Sequence, residues 1–176
     1  MHLIILPGNS KKYNEQGLYD SAKHFSDLFD SVTTHVYEHW KTGTGEEHAN
    51  TKVEAEKLKK EVEALRGEYV ICAKSIGVPI TIRAVIENGV SPTKCVFLGS
   101  AIKGASEELI NLISQFRIPT LFIEQTNDPI VFPYAELEKF LNEHWTGEYK
   151  LIEIPGGNHA YDNYNEIKGW ISEFLA

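Results

Sequence analysis

Ser75 lies within Ala73-Lys74-Ser75-Ile76-Gly77, between the apolar run Tyr69-Val70-Ile71-Cys72 and the helix-like stretch Val78 to Glu87. A nucleophilic serine at a sharp strand-to-helix turn needs small residues two before and two after it. The turn strains the serine backbone, and bulk on either flank would clash across it. Alone the pentapeptide is weak, since a serine before a helix is also an ordinary N-cap. Two later segments supply the partners such a serine requires: Asn127-Asp128-Pro129, and Gly156-Gly157-Asn158-His159. A serine hydroxyl is a poor nucleophile at neutral pH and needs a base within hydrogen-bond reach, here His159. Asp128 would hold the imidazole in the correct tautomer and stabilise it as it becomes charged. Together these residues predict acyl transfer through a covalent acyl-enzyme.

Such residues act only if the elements carrying them end at one place. The chain alternates short apolar runs with amphipathic stretches. Strands are expected at Leu3 to Leu6, Val32 to Tyr37, Tyr69 to Cys72, Lys94 to Leu98, Thr120 to Ile123 and Tyr149 to Ile154. Helical spacing marks Gly17 to Phe29, Asn50 to Leu65, Val78 to Glu87, Glu107 to Phe116, Pro133 to Asn142 and Tyr161 to Phe174. The third to fifth strands are continuous apolar runs without alternation, as a parallel sheet covered on both faces produces. In such a sheet the loops at the carboxyl ends of the strands build the site. Ser75, Asp128 and His159 follow the third, fifth and sixth strands, and Pro7-Gly8-Asn9-Ser10 follows the first. The fold class expected is a three-layer α/β/α domain with a six-stranded parallel sheet, spanning residues 1–176.

The chain order Ser, Asp, His, with these loops, resembles the α/β-hydrolase fold superfamily. The resemblance covers the chain from Leu3 onward. It is nearest to the compact, lidless serine hydrolases, such as the retinoblastoma-binding-protein-nine-like group and the minimal lipases. Asn127-Asp128-Pro129-Ile130-Val131 is similar to the acid loop, and Gly156-Gly157-Asn158-His159 to the histidine loop. Pro7-Gly8-Asn9 stands where that superfamily often has His-Gly-X. The resemblance implies that the backbone N–H groups of Asn9 and Ile76 form an oxyanion hole, each donor worth roughly 100- to 1,000-fold in turnover. Two departures stand out: Ala73 replaces the usual elbow glycine, and the first two strands of the superfamily are missing. No stretch after the fourth strand is long enough for a lid, so a shallow, open pocket and a small acyl substrate are expected.

Ser10 and Lys74 flank the oxyanion loop and the nucleophile, and both are expected to line the substrate pocket. Lys74 adds a cation that would favour acidic substrates. Glu124 is the rival acid, although it falls within the fifth strand. Asp128 could instead be only a turn or helix cap, and His159 an ordinary loop histidine. His35, His39 and His48 lie on a strand, its end and a loop, without a metal-binding pattern. No metal or cofactor is called for.

The 176 residues are 42% hydrophobic and 24% charged, which fits a globular protein. A net charge of -8 with scattered basic residues speaks against a nucleic-acid or anionic-membrane surface. Leu3 to Leu6 is too short for a signal-peptide core or membrane span. Cys72 and Cys95 read as buried, reduced thiols, which sets the expectation of a cytoplasmic protein. Two rival readings remain. One is a catalytically silent hydrolase-like fold used as a binding or scaffold protein. The other is a flavodoxin-like nucleotide binder, opposed by the lack of any Gly-x-Gly-x-x-Gly or Walker pattern.

Overall fold

A computed structural model describes residues 1–176. The strands are β1 (His2–Leu6), β2 (Ser31–Thr34), β3 (Tyr69–Lys74), β4 (Lys94–Leu98), β5 (Thr120–Gln125) and β6 (Tyr149–Ile154). The helices are α1 (Lys11–Phe25), α2 (Glu38–Thr42), α3 (Thr51–Glu63), α4 (Gly77–Asn88), α5 (Glu107–Gln115), α6 (Tyr134–His144) and α7 (Tyr164–Leu175). All six strands join one sheet in the order β2-β1-β3-β4-β5-β6, and every pairing is parallel. α1 packs against α7 on one face, while α3, α4, α5 and α6 touch in series on the other. The expected three-layer α/β/α arrangement is therefore observed.

Burial explains the strand pattern. Val70 to Ala73, Cys95 to Leu98 and all of β5 are buried, so side chains on both faces of these strands are withdrawn from water. Phe97, Phe116, Phe122 and Trp145 form an aromatic cluster at the heart of one layer, with Phe97 and Phe122 at 5.5 Å edge to face. Local signals set the helix ends. Asn50 caps α3 by accepting from the N–H groups of Lys52 and Val53, and Ser106 caps α5 by accepting from Leu109. Gly89 closes α4 in the left-handed conformation.

Register places the site. Leu6 pairs with Ala73, Lys74 with Leu98, Leu98 with Ile123, and Gln125 with Ile154. The carboxyl ends of β1, β3, β4, β5 and β6 thus form one edge, and the chain leaves it at each of the four loops singled out above. The strand order reverses between β1 and β3, the position where open α/β sheets form a crevice.

Several boundaries differ from expectation. α1 begins at Lys11 rather than Gly17, because its first turns are polar and show no apolar periodicity. β2 ends at Thr34, and Tyr37 instead precedes the five-residue α2, too short to have a periodicity of its own. β3 and β5 run on to Lys74 and Gln125. α7 starts at Tyr164, leaving Tyr161 in the loop with a φ of 56°. No helix is long and apolar enough to cross a membrane.

Candidate active site

Ser75 follows β3 and, with Ile76, makes the two-residue turn into α4, with a φ of 52°. The left-handed region is uncommon for any residue with a Cβ. Two backbone bonds hold the serine there: its N–H donates to the Leu98 carbonyl at 2.9 Å, and its own carbonyl accepts from Val78 at 3.0 Å. Ala73 is fully buried between β1 and β4. At Gly77 an added Cβ would lie 2.9 Å from the Leu6 Cβ and 3.3 Å from the Leu6 and Pro7 carbonyl oxygens. That close approach draws the start of α4, and the N–H of Ile76 with it, against the end of β1.

Asp128 sits in the loop after β5 with its carboxylate fully withdrawn from solvent. One oxygen accepts from the Ile130 N–H at 2.9 Å, and the other meets His159 Nδ1 at 2.5 Å. A carboxylate that accepts from Nδ1–H places the free lone pair of a neutral imidazole on Nε2. That nitrogen is buried and has no partner within the protein. His159 and Ser75 line the same cleft, although no hydrogen bond joins them in this structure. Such contacts often tighten only when substrate is bound. His159 is itself held at a φ of 56°, with its N–H directed to Gln125 Oε1 at 3.2 Å.

A second buried carboxylate stands behind the first. Tyr161 Oη lies 3.1 Å from Asp128 Oδ2 and 3.2 Å from Glu124 Oε2, and it accepts from the Gln125 N–H at 3.0 Å. A phenol has one proton and cannot serve two carboxylates at once. Asp128 already accepts from Ile130 and His159, so it is the anion. Glu124 completes the network when it carries a proton and donates to Tyr161, which then donates to Asp128. Burial pushes the Glu124 carboxyl up to about 7, against the pull of hydrogen bonds from Ser100 and Tyr161. Burial likewise holds the Tyr161 phenol far above its usual range. Gly99, at a φ of 56°, makes room for both rings, since a Cβ there would come within 2.5 Å of Tyr161 and 3.0 Å of His159.

The loop after β1 is pinned from behind. The Asn9 side chain donates to the Glu47 carbonyl and accepts from the Ala49 N–H, and its carbonyl accepts from His39 Nε2 and Trp40 Nε1. Its own backbone N–H donates to no group in the chain. Ser10 lines the cleft, but its hydroxyl is committed to the Glu46 carboxylate at 2.7 Å. Lys74 also lines the cleft, and its ammonium donates to Asn14 Oδ1 at 2.9 Å. The cleft is about 420 Å³, bounded by Gly8, Ser10, Tyr13, Ile130 and Asn158 around Ser75 and His159. Asn14, Gln125 and Tyr161 were not singled out for these roles by the sequence. Their bonds are formed across elements, and no local spacing encodes them.

No protein-family model matches the chain, and no curated protein matches it in sequence. Solved structures do match. An alpha-beta serine hydrolase homologue from Coxiella burnetii superposes with a TM-score of 0.76 at 15% identity, covering 100% of this chain and 85% of that one. Est1E from Butyrivibrio proteoclasticus, solved with ferulic acid bound, gives 0.74 at 16% identity over 99% and 87% of the two chains. A type II thioesterase of the yersiniabactin biosynthetic pathway gives 0.65 at 13% identity over 99% and 91%. The chain has the α/β-hydrolase fold.

Proposed function

We propose that this protein is a serine hydrolase that cleaves an ester or related acyl bond of a small molecule. One observation carries the reading. A buried Asp128–His159 pair leaves an unpartnered ring nitrogen in the cleft lined by a serine in a left-handed conformation. Ser75 Oγ attacks the acyl carbon while His159 Nε2 takes its proton, and the N–H groups of Asn9 and Ile76 receive the developing oxyanion. Collapse of the tetrahedral adduct breaks the bond to the leaving group, which collects that proton from His159. Water then repeats the sequence on the acyl-enzyme, releasing the acid and restoring Ser75. The esterase and thioesterase among the structural neighbours support an acyl bond as the target class.

Labelling with a fluorophosphonate tests this directly. The folded protein is expected to take up one label, on Ser75, and Ser75→Ala to take up none. Folded protein that stays unlabelled, or is labelled at another serine, would leave the fold as a binding scaffold.

A further inference from the structure

Among the side chains lining the cleft, only that of Lys74 donates hydrogen bonds without being able to accept them while protonated. Apart from His159 it is the only basic side chain there, and no aspartate, glutamate or arginine lines the cleft beside it. It is the one lysine or arginine of the cleft, in a chain whose net charge is -8. Its ammonium has three N–H donors. One goes to Asn14 Oδ1, and no carboxylate forms an ion pair with it. At least one donor is left for the cleft. The neighbouring polar groups are already committed: the Asn14 amide donates to the Ser10 carbonyl, and Asn158 Oδ1 accepts from Ala160.

We propose that Lys74 forms an anion subsite beside Ser75, and that the substrates are small esters carrying a free carboxylate. Burial already costs the ammonium part of its charge, drawing it down to about 8, and Asp128 and Asp162 only partly restore it. A bound carboxylate supplies the partner that the protein does not. A neutral ester of the same shape leaves the donor unpaired in a desolvated wall, so the subsite selects for the charged ligand. The ester part of this inference rests on the hydrolase reading; the anion part does not.

The test uses a matched pair, monomethyl glutarate and methyl pentanoate, titrated calorimetrically into Ser75→Ala protein, which cannot turn them over. The charged ester is expected to bind roughly 10- to 100-fold more tightly, the worth of a hydrogen bond to a charged group. Adding Lys74→Met should erase that difference, and Lys74→Arg should keep much of it, with thermal melts showing all variants folded. Equal binding of the two esters, or a preference that survives Lys74→Met, overturns the proposal. Turnover of the corresponding p-nitrophenyl esters separates it from the hydrolase reading. Lys74-dependent binding with no turnover of either ester rejects only the hydrolase. Turnover of both esters with equal kcat/KM rejects only the subsite.

Discussion

The proposed chemistry needs Asp128 ionised with a second carboxylate two hydrogen bonds away, and the Tyr161 phenol stands between them. Asp128→Asn keeps the shape but favours the wrong imidazole tautomer. Turnover is expected to fall by up to ~10,000-fold with an unchanged melting temperature near neutral pH. Tyr161→Phe removes one donor to Asp128 and should lower kcat about 5- to 10-fold, the worth of one hydrogen bond, with KM little changed. Glu124→Gln should behave differently, because a neutral amide can also donate to Tyr161 and accept from Ser100. Turnover is therefore expected to survive. The folded Glu124 carboxyl ionises near 7 and the unfolded one near 4.5. Its contribution to stability is thus fully present below 4.5, declines between 4.5 and 7, and is lost above. That decline amounts to roughly 3 kcal/mol. Thermal melts of Glu124→Gln between pH 4 and 8 should lack it. A wild-type slope retained in the variant would mean that Glu124 is ionised throughout.

The elements hold this chemistry through a few tight contacts. Gly77 lets α4 meet the end of β1, so Gly77→Ala must push the helix away from Leu6 and Pro7. It should both destabilise the protein and weaken acylation, seen as slower fluorophosphonate labelling at equal folded fraction. On the other flank, His35 joins the end of β2 to α3. Its ring is fully buried, with Nδ1 2.6 Å from Glu61 and Nε2 3.0 Å from Glu54. Carboxylates at both nitrogens require an imidazolium. Burial alone would draw its pKa down, but the bonds to Glu54 and Glu61 outweigh it and raise it above 6.5. The clamp therefore contributes in full below 6.5 and is lost as pH rises through the raised value. Glu54, held below 4.5 by His35, the Glu38 N–H and Lys57 against the cost of burial, loses its share as pH falls through its lowered value. His35→Gln should cost a few kcal/mol at pH 6, as breaking a buried pair does, and less at high pH. Much of this layer was legible beforehand. β4 and β6 fall where their apolar runs do, and the loops bearing Ser75, Asp128 and His159 follow from counting strand ends. The clamp was not, since His35 faces acids 19 and 26 residues away and no local spacing links them. Tyr161 was misplaced for a related reason. Its apolar character extended the helical pattern of α7, whereas its hydroxyl ties it to Gln125 and the two acids.

At the scale of the whole molecule, the sheet shields both thiols. Cys72 and Cys95 are buried in adjacent central strands, and burial alone pushes the Cys72 thiol up to about 12. Neither can react until β3 and β4 open, so alkylation by iodoacetamide should follow the global unfolding equilibrium. Rapid labelling of native protein would show that the sheet opens locally. The fold's conformational strain is distributed just as unevenly. The only non-glycine residues with positive φ are Ser75, His159 and Tyr161, and all three lie at the site. Stability and activity are thus set against each other at the same peptide units. Ser75→Ala and Ser75→Gly should both be inert, yet the glycine form should melt higher, by about 1 kcal/mol, because only it sheds the Cβ from a left-handed turn. An engineer who screened this protein for heat resistance alone would be led toward the proposed active site, and would recover a sturdier molecule that does nothing.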